Sequence, residues 1–588
     1  MVINLDEVKK ARFHHIVLLA TCDRCFRFKT YLSSLVENVN IYKYPSEMVE
    51  VVIVDDSKDK SNLERNKEIV KEIQESAGGI TLHYYGPDKQ EEFLDLLKEK
   101  CGYDVYRYVY AKGNQKGFGG VRNLLLMLGL FHSRLNTIFT FHDDDETFKV
   151  VVYNKVTGRF SLKHEFSYFE KIDEVFSTHG FVDFVGGKNS LYIKSVNIAS
   201  GFVTRDYYES AWIIPHFLLL LRKFFELASS KNPDENADET KILLKLRKAW
   251  GEPGGFNFIA NFQPGTYAKC LKILAHTAEG MKRMGAYRLF ATAYDPSRPL
   301  FINRTEYSSG GNTSFRRSVI IWGIPFPVTT ARGEDALWGR LSSRLLGGIY
   351  YVNVPIGHFR ASRSASHRRD VIDEFRKSLD HLLMSYLTID SGGPYSVVPG
   401  DRHEDIVRKF KSMHYSDMEL NWAEEASQRY FIYGCPELPY GLVHWIPYAR
   451  AVSSLINDPN AWWSQPRFKI YTDKIREFVN FVEDNGVDIT KKIKEMVSSP
   501  KEIIKMIHTY GELIEKWPHV VKSIIQLKSE LQTESDDYVD QILDHYEREM
   551  DSLSSKLVDE VLSRYEKSLD EIAGKLVDEE LEKKGKRS

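Results

Sequence analysis

VEVVIVDDS, residues 49–57, is an apolar run broken only by Glu50 and ended by two carboxylates, Asp55 and Asp56. A run this short and this rich in β-branched residues fits a strand buried on both faces, and its acidic end marks where the chain leaves the core. Working outward, HIVLLA (15–20) is a similar run upstream. ITLHYYG (80–86) follows downstream, DVYRYVYA (104–111) reads as a fourth strand, and Thr137–His142 is a fifth that ends at Asp143-Asp144-Asp145. Between them, Phe28–Val39, Phe93–Leu97 and Val121–Leu130 carry apolar residues at helical spacing. Strands alternating with helices predict an α/β fold, a mostly parallel sheet with helices on both faces. Ligands of such sheets bind at the carboxyl ends of the strands, where the acids lie.

The pattern changes after residue 147. FKVVVY, NKVTG and RFSLKHEF read as an inserted β-hairpin, residues 205–285 read mainly helical, and strand-like segments return over 286–360, ending in YYVNVPIGHFR. The expected organisation is an α/β unit over 1–370 with an insertion at about 148–285, a mainly helical region over 371–535, and a long amphipathic helix over 536–588. In that last segment Val539, Ile542, Tyr546, Met550, Leu553, Leu557, Val561, Tyr565, Leu569, Ile572 and Leu576 form one apolar stripe. Packing on its own chain and a coiled-coil seam joining two copies are equal readings of such a stripe.

Composition narrows the function. The chain has 588 residues, too many for one core, with 43% hydrophobic and 28% charged residues, as in globular proteins. Lys plus Arg number 80 against 82 Asp plus Glu, so no global field points to nucleic acid. The first 15 residues lack the apolar core of a leader peptide, and the apolar run Trp212–Leu227 is interrupted by Pro215, His216, Arg222 and Lys223. A cytoplasmic location is expected, with peripheral placement at the inner face of a membrane left open. Five cysteines make no disulfide scaffold, and the Cys22/Cys25 pair lacks the further ligands of a zinc site.

Four segments carry chemistry. FTFHDDDETF sets three carboxylates at a strand end, where their mutual repulsion is relieved by a divalent cation bridging to phosphate; a solvated acidic turn is the plain alternative. Asp55 and Asp56 are placed to accept from a ribose hydroxyl or a base N–H, or simply to form a turn. KGNQKGFGGVRN (112–123) puts Arg122 where a dinucleotide fingerprint needs its last glycine, so it reads as a loop entering a helix, with Lys116 and Arg122 available to an anion. ARGEDALWGRL (331–341) places Glu334 and Asp335 at a helix start, which suits either a general base or a favourable N-terminal charge. SSGGNTSFRR (308–317) precedes it as a glycine turn able to admit a ligand closely, and His358 in VPIGHFR follows it.

ATCDRCF, VVIVDDSKD, KGFGGVRN, FHDDDE, SGGNTSFRR, RGEDALWGRL and VPIGHFR occur in this order over about residues 12–365. The set resembles the GT-A fold glycosyltransferases, most closely the family 2-like group. Two features depart from that pattern: the long gap from Asp145 to Glu334, which requires an insertion, and the CxxC setting of Arg24. The resemblance implies a GT-A, Rossmann-like sheet and a nucleotide-sugar donor whose sugar passes to an acceptor hydroxyl with inversion. It implies Mn²⁺ or Mg²⁺ held by Asp143 and Asp145 with His358, and donor contacts from Arg24, Asp55, Asp56, Lys116, Arg122 and Asp143. It makes Asp335 the catalytic base and gives Glu334 the task of orienting Asp335 or the acceptor. The acceptor (a glycan, a lipid-linked glycan or a small polyol) is left open. A retaining transferase, a sugar nucleotidylyltransferase and an inactive glycosyltransferase-like scaffold are the alternatives. The nucleotidylyltransferase would need a glycine-rich basic loop where Thr21-Cys22-Asp23-Arg24 stands.

Overall fold

The computed structural model describes residues 12–112, 115–154, 159–178, 190–193, 196–197, 202–205, 207–237, 265–282, 287–290, 300–305, 311–328, 333–346, 349–358, 384–393, 395–413, 421, 425, 445–496 and 500–532. The apolar stripe over 539–576 lies outside them. The first half is strand–helix alternation: β1 (His14–Thr21), α1 (Cys25–Tyr42), β2 (Val49–Asp55), α2 (Lys60–Ser76), β3 (Thr81–Tyr85), α3 (Pro87–Cys101), α4 (Phe118–His132) and β4 (Thr137–Asp143). β1 pairs in parallel with β2 on one side and with β4 on the other, and β2 pairs in parallel with β3. Four later strands, β5 (Ser190–Ile193), β6 (Phe301–Thr305), β7 (Thr313–Arg316) and β8 (Ile349–Val352), complete an eight-stranded sheet. Its order is β6-β8-β5-β7-β4-β1-β2-β3, with β7 antiparallel to β4 and β6 antiparallel to β8 at the edge.

The sheet is covered on both faces because β1 and β2 are apolar on both sides over most of their length. Val17, Leu19, Val51 and Ile53 point to a core shared with Phe28, Tyr31 and Leu35 of α1 and Ile69 of α2. Ile16, Leu18, Val52 and Val54 point the other way, to Leu94 of α3 and Leu124 and Leu128 of α4. The chain builds outward from β1 through β2 to β3, then returns to place β4 on the opposite side of β1. Such a reversal leaves a crevice at the carboxyl ends of the two strands, here at Thr21 and Asp143.

DVYRYVYA is not a strand of this sheet. Val105–Tyr108 is a 3-10 turn, and among the described residues Tyr110–Lys112 pairs only with Gln115–Lys116, in a small hairpin. The aromatics that raise its strand propensity serve a different contact. Tyr108 is fully buried, its ring 5.4 Å from Trp517, and its hydroxyl donates to the Leu513 carbonyl at 2.8 Å. Both partners belong to a helix about 400 positions away in the chain, so tertiary packing overrides the local preference.

The inserted hairpin is present as expected, with Val150–Asn154 antiparallel to Arg159–Lys163, and it leads into α5 (Tyr168–Thr178). The remaining described α-helices of more than five residues are α6 (Tyr207–Ala228), α7 (Tyr267–Lys282), α8 (Glu334–Leu346), α9 (His403–Lys411), α10 (Trp445–Ile456), α11 (Lys469–Met496) and α12 (Pro500–Gln532). They divide between two cores. Leu218, Phe225, Leu271, Val452 and Phe478 bring α6, α7, α10 and α11 together, and Trp462 Nε1 donates to the Ala228 carbonyl at 2.9 Å. α9 and α12 instead join the core beneath α4, where Trp517 Nε1 donates to Ile320 O at 2.9 Å and the Tyr510 hydroxyl to Pro325 O at 2.7 Å. Among the described residues no helix is long and apolar enough to cross a membrane.

The glycines of G-F-G-G act in packing. A Cβ on Gly120 would lie 1.9 Å from the Val109 carbonyl oxygen, and one on Gly119 2.0 Å from that of Pro327. Both obstacles are backbone and cannot swing aside. Gly120→Ala is therefore expected at the upper end of overpacking effects, about 3 kcal/mol. Thermal unfolding followed by circular dichroism should show Tm falling by several degrees; an unchanged Tm would remove this reading of the loop.

Candidate active site at the carboxyl ends of the central strands

The turn after β1 is shaped by Asp23, whose φ of 52° lies in the left-handed region that Asp tolerates better than most residues. Its carboxylate accepts from the backbone N–H of Asp59 and from Asn62 Nδ2, both at 3.2 Å, and its own N–H donates to Ser57 Oγ at 2.7 Å. This locks the β1 turn to the β2 turn and sends Arg24 and Arg27, at the start of α1, over the end of β4. Burial, reinforced by the Asp23 and Asp56 carboxylates, pushes the Cys22 thiol up to about 11, and burial raises Cys25 as well. Neither is a ready thiolate.

The three aspartates after β4 have different surroundings. Asp144 is buried and firmly held: Thr21 Oγ1 donates to it at 2.9 Å and Arg24 Nη1 at 3.0 Å. Burial, with repulsion from Asp145, outweighs Arg24 and raises its pKa to about 6. The arginine contacts to its neighbours are longer. Asp145 lies 3.5 Å from Arg27 and 3.6 Å from Arg24, and Asp143 lies 3.7 Å from Arg122. Glu146 is buried beneath them, its pKa driven well up by desolvation and then by Asp143, and it accepts from the Asp143 N–H at 3.1 Å.

Gly311 and Asn312 serve this same loop. A Cβ on Gly311 would sit 2.2 Å from a Glu146 carboxyl oxygen, so the close approach that this glycine permits is made by Glu146. Asn312, also at a φ of 52°, accepts from the Tyr168 hydroxyl at 2.7 Å and donates to Val354 O at 3.2 Å. Gly357 and His358 form a short strand antiparallel to Glu146–Thr147, with His358 opposite Glu146. The backbone of Gly357–His358 therefore runs beside the acidic loop; the His358 side chain lies outside the described residues.

Asp55 and Asp56 part company. Asp55 is fully buried and accepts from Asn66 Nδ2 at 2.8 Å, the Tyr84 hydroxyl at 2.7 Å and the Ser57 N–H at 2.9 Å. It organises the turn, whereas Asp56 is partly exposed. Lys116 reaches Asp56 at 3.2 Å and also donates to Gln90. Gln90 itself is buried and donates to the Asp55 and Tyr85 carbonyls.

Arg122 joins the distant motifs. Its Nε donates to Glu334 Oε1 at 3.2 Å and its Nη2 lies 3.7 Å from Asp143, while its guanidinium stands over the Phe141 and Phe326 rings at 5.3 and 5.8 Å. Glu334 and Asp335 open α8. Glu334 is buried against Arg122, and Asp335 is half-buried with its Oδ1 accepting the Ala336 N–H at 2.8 Å. Burial and the adjacent Glu334 raise Asp335 to about 6 despite Arg122. A carboxylate with this pKa is largely ionised at neutral pH and more basic than an ordinary one. Arg24 thus meets Asp144 and Asp145, Arg122 meets Asp143 and Glu334, and Lys116 meets Asp56.

Three participants were missed in the sequence. Arg27 was legible as a second cation one helical turn after Arg24. Asp144 was visible but given no task of its own. Asn123, which clamps α4 to Tyr108 O at 3.0 Å and to Phe326 O at 2.9 Å, gave no local signal.

No family model and no curated protein matches the sequence. Solved structures with related shape include a mannosyltransferase from Pyrobaculum calidifontis in complex with GDP-Man and Mn²⁺, at 11% identity and a TM-score of 0.31, covering 81% of this chain and 88% of that chain. Similarity at this level assigns no chemistry here.

Proposed function

We propose that the chain is a metal-dependent glycosyltransferase that moves a sugar from a nucleotide-sugar donor to an acceptor hydroxyl with inversion, on a GT-A-like sheet. The observation that carries this reading is Arg122 bridging Asp143 and Glu334, 212 positions from its own place in the chain. The bridge puts an acidic strand end suited to a metal and diphosphate beside a helix start that presents a raised-pKa carboxylate.

The residues fit a divalent cation. Asp144 is committed to Thr21 and Arg24, whereas Asp143 and Asp145 on either side meet their arginines at 3.5–3.7 Å. Two carboxylates completed by substrate phosphates are a hard oxygen donor set, which suits Mg²⁺ or Mn²⁺. When bound, the ion neutralises charge on the departing diphosphate. Asp56 accepts from the ribose or base, and Lys116 lies beside it. Arg24, Arg27 and Arg122 hold the carboxylates in register while the site is unliganded and face the diphosphate once it enters. Glu334 fixes Arg122, and Asp335 takes the acceptor proton as its oxygen attacks the anomeric carbon. The wider organisation follows the same proposal: an α/β catalytic unit to about residue 370, then helical segments that complete it.

Calorimetry with nucleoside diphosphates tests the donor half. Binding that needs Mn²⁺ or Mg²⁺ supports the reading, and equal binding in EDTA overturns its metal component. NMR of the product anomeric proton tests the other half, since a retained configuration would remove Asp335 as base.

A further inference from the structure

We propose that Glu50, His83 and His132 form a second cation site, for a nitrogen-preferring transition ion such as Zn²⁺, at the amino end of the sheet. Glu50 is the lone polar residue inside VEVVIV. It stands five residues from Asp55, about 17 Å away along an extended strand, so this cluster is separate from the candidate active site. Among the described residues, these three side chains form the group whose ligand atoms all lie within 4.8 Å of one another.

The three sit on different elements. Glu50 lies near the start of β2, His83 in the middle of β3, and His132 ends α4. His83 Nε2 donates to Glu50 Oε2 at 2.7 Å, and the two imidazoles stack with centroids 3.7 Å apart. His132 Nε2 receives the Tyr85 hydroxyl at 2.7 Å, which places a further oxygen at the cluster. The other carboxylate oxygen, Glu50 Oε1, accepts from His14 Nε2 at 2.9 Å and Arg134 Nη2 at 3.1 Å, and His14 Nδ1 is bonded to Thr137 Oγ1 at 2.8 Å. An outer layer that fixes the carboxylate and leaves one oxygen toward the histidines is how metal ligands are commonly oriented.

An entering ion takes the lone pair of one ring nitrogen of each histidine, and the N–H stays on the other nitrogen, so neutral imidazoles bind it with no net proton released. The rings must turn out of their stack to converge on the ion. Arg134 and Lys528 flank the cluster, which disfavours weakly held Mg²⁺ or Ca²⁺ and leaves the selection to imidazole ligands.

The test uses full-length protein stripped with chelator and titrated with Co²⁺ in excess Mg²⁺, read by visible absorption. The expected result is one Co²⁺ per chain with tetrahedral d–d bands, displaced by Zn²⁺. His83→Gln and His132→Gln should each weaken binding at least about tenfold, whereas Asp145→Asn should leave the spectrum unchanged, so this site and the proposed catalytic metal fail or stand separately. Absence of saturable Co²⁺ absorption in the wild-type protein would overturn the proposal. So would histidine variants that bind as tightly as wild type.

Discussion

Asp335→Asn should lower kcat by about 10²- to 10⁴-fold, the range expected when a general base is lost. The amide keeps the shape of the side chain and can still accept the Ala336 N–H, so helix α8 should begin as before. Donor affinity should change little, because the base faces the acceptor. A purely capping role predicts the opposite, about 1 kcal/mol or less of stability lost with near-normal turnover. The pH profile adds a second readout. Asp335 must be ionised to accept a proton, and burial beside Glu334 raises it to about 6. The acid limb of kcat/KM should therefore lie near pH 6, well above an ordinary carboxylate, with activity falling as pH drops through it. Glu334 and Asp143 interact with Asp335, so the limb belongs to the group of carboxylates as a whole. In Asp335→Asn that limb should vanish from the residual rate.

Asp145→Asn should be nearly as severe and should fail earlier in the cycle. Loss of one of two carboxylates for the cation removes several kcal/mol of charge stabilisation, roughly 10²- to 10³-fold in rate, and metal-dependent nucleotide binding should weaken with it. The fold should survive. Asp145 is one of the charges that keep Asp144 at about 6. Because the folded pKa of Asp144 lies above its ordinary value of 3.8, the folded state binds more protons between about pH 4 and 6. Stability therefore declines as pH rises through that window, and the full penalty applies above it. Removing the Asp145 charge relieves part of this penalty, so Tm at pH 7 should not fall. A destabilised variant would assign Asp145 a structural task in place of a metal-binding one.

The sheet was largely legible because its evidence is local. β1 and β2 are apolar on both faces over most of their length, and the acidic ends of β2 and β4 mark the crevice. What escaped was set by contacts far apart in the chain. DVYRYVYA carries the aromatics of a strand, and only the arrival of Trp517 and Leu513 shows why it forms a turn. Asp55 and Asp56 could have been told apart by parity. Adjacent residues at a strand end point to opposite faces, and Asp55 shares its face with Val51 and Ile53, toward α2 and Asn66. Arg122 was legible as a cation at a helix start, but its choice of both Asp143 and Glu334 depends on how α8 returns after the insertion. The sharing of one core by α4 and α12 has no local signature at all.

The most direct measurement is turnover against a panel of sugar nucleotides, with nucleoside diphosphate release followed in Mn²⁺ or Mg²⁺ and in EDTA. The account predicts that at least one donor is cleaved only with metal, and that Asp145→Asn and Asp335→Asn each abolish the release stimulated by acceptor. Release that persists in EDTA, or that survives both substitutions, would contradict it.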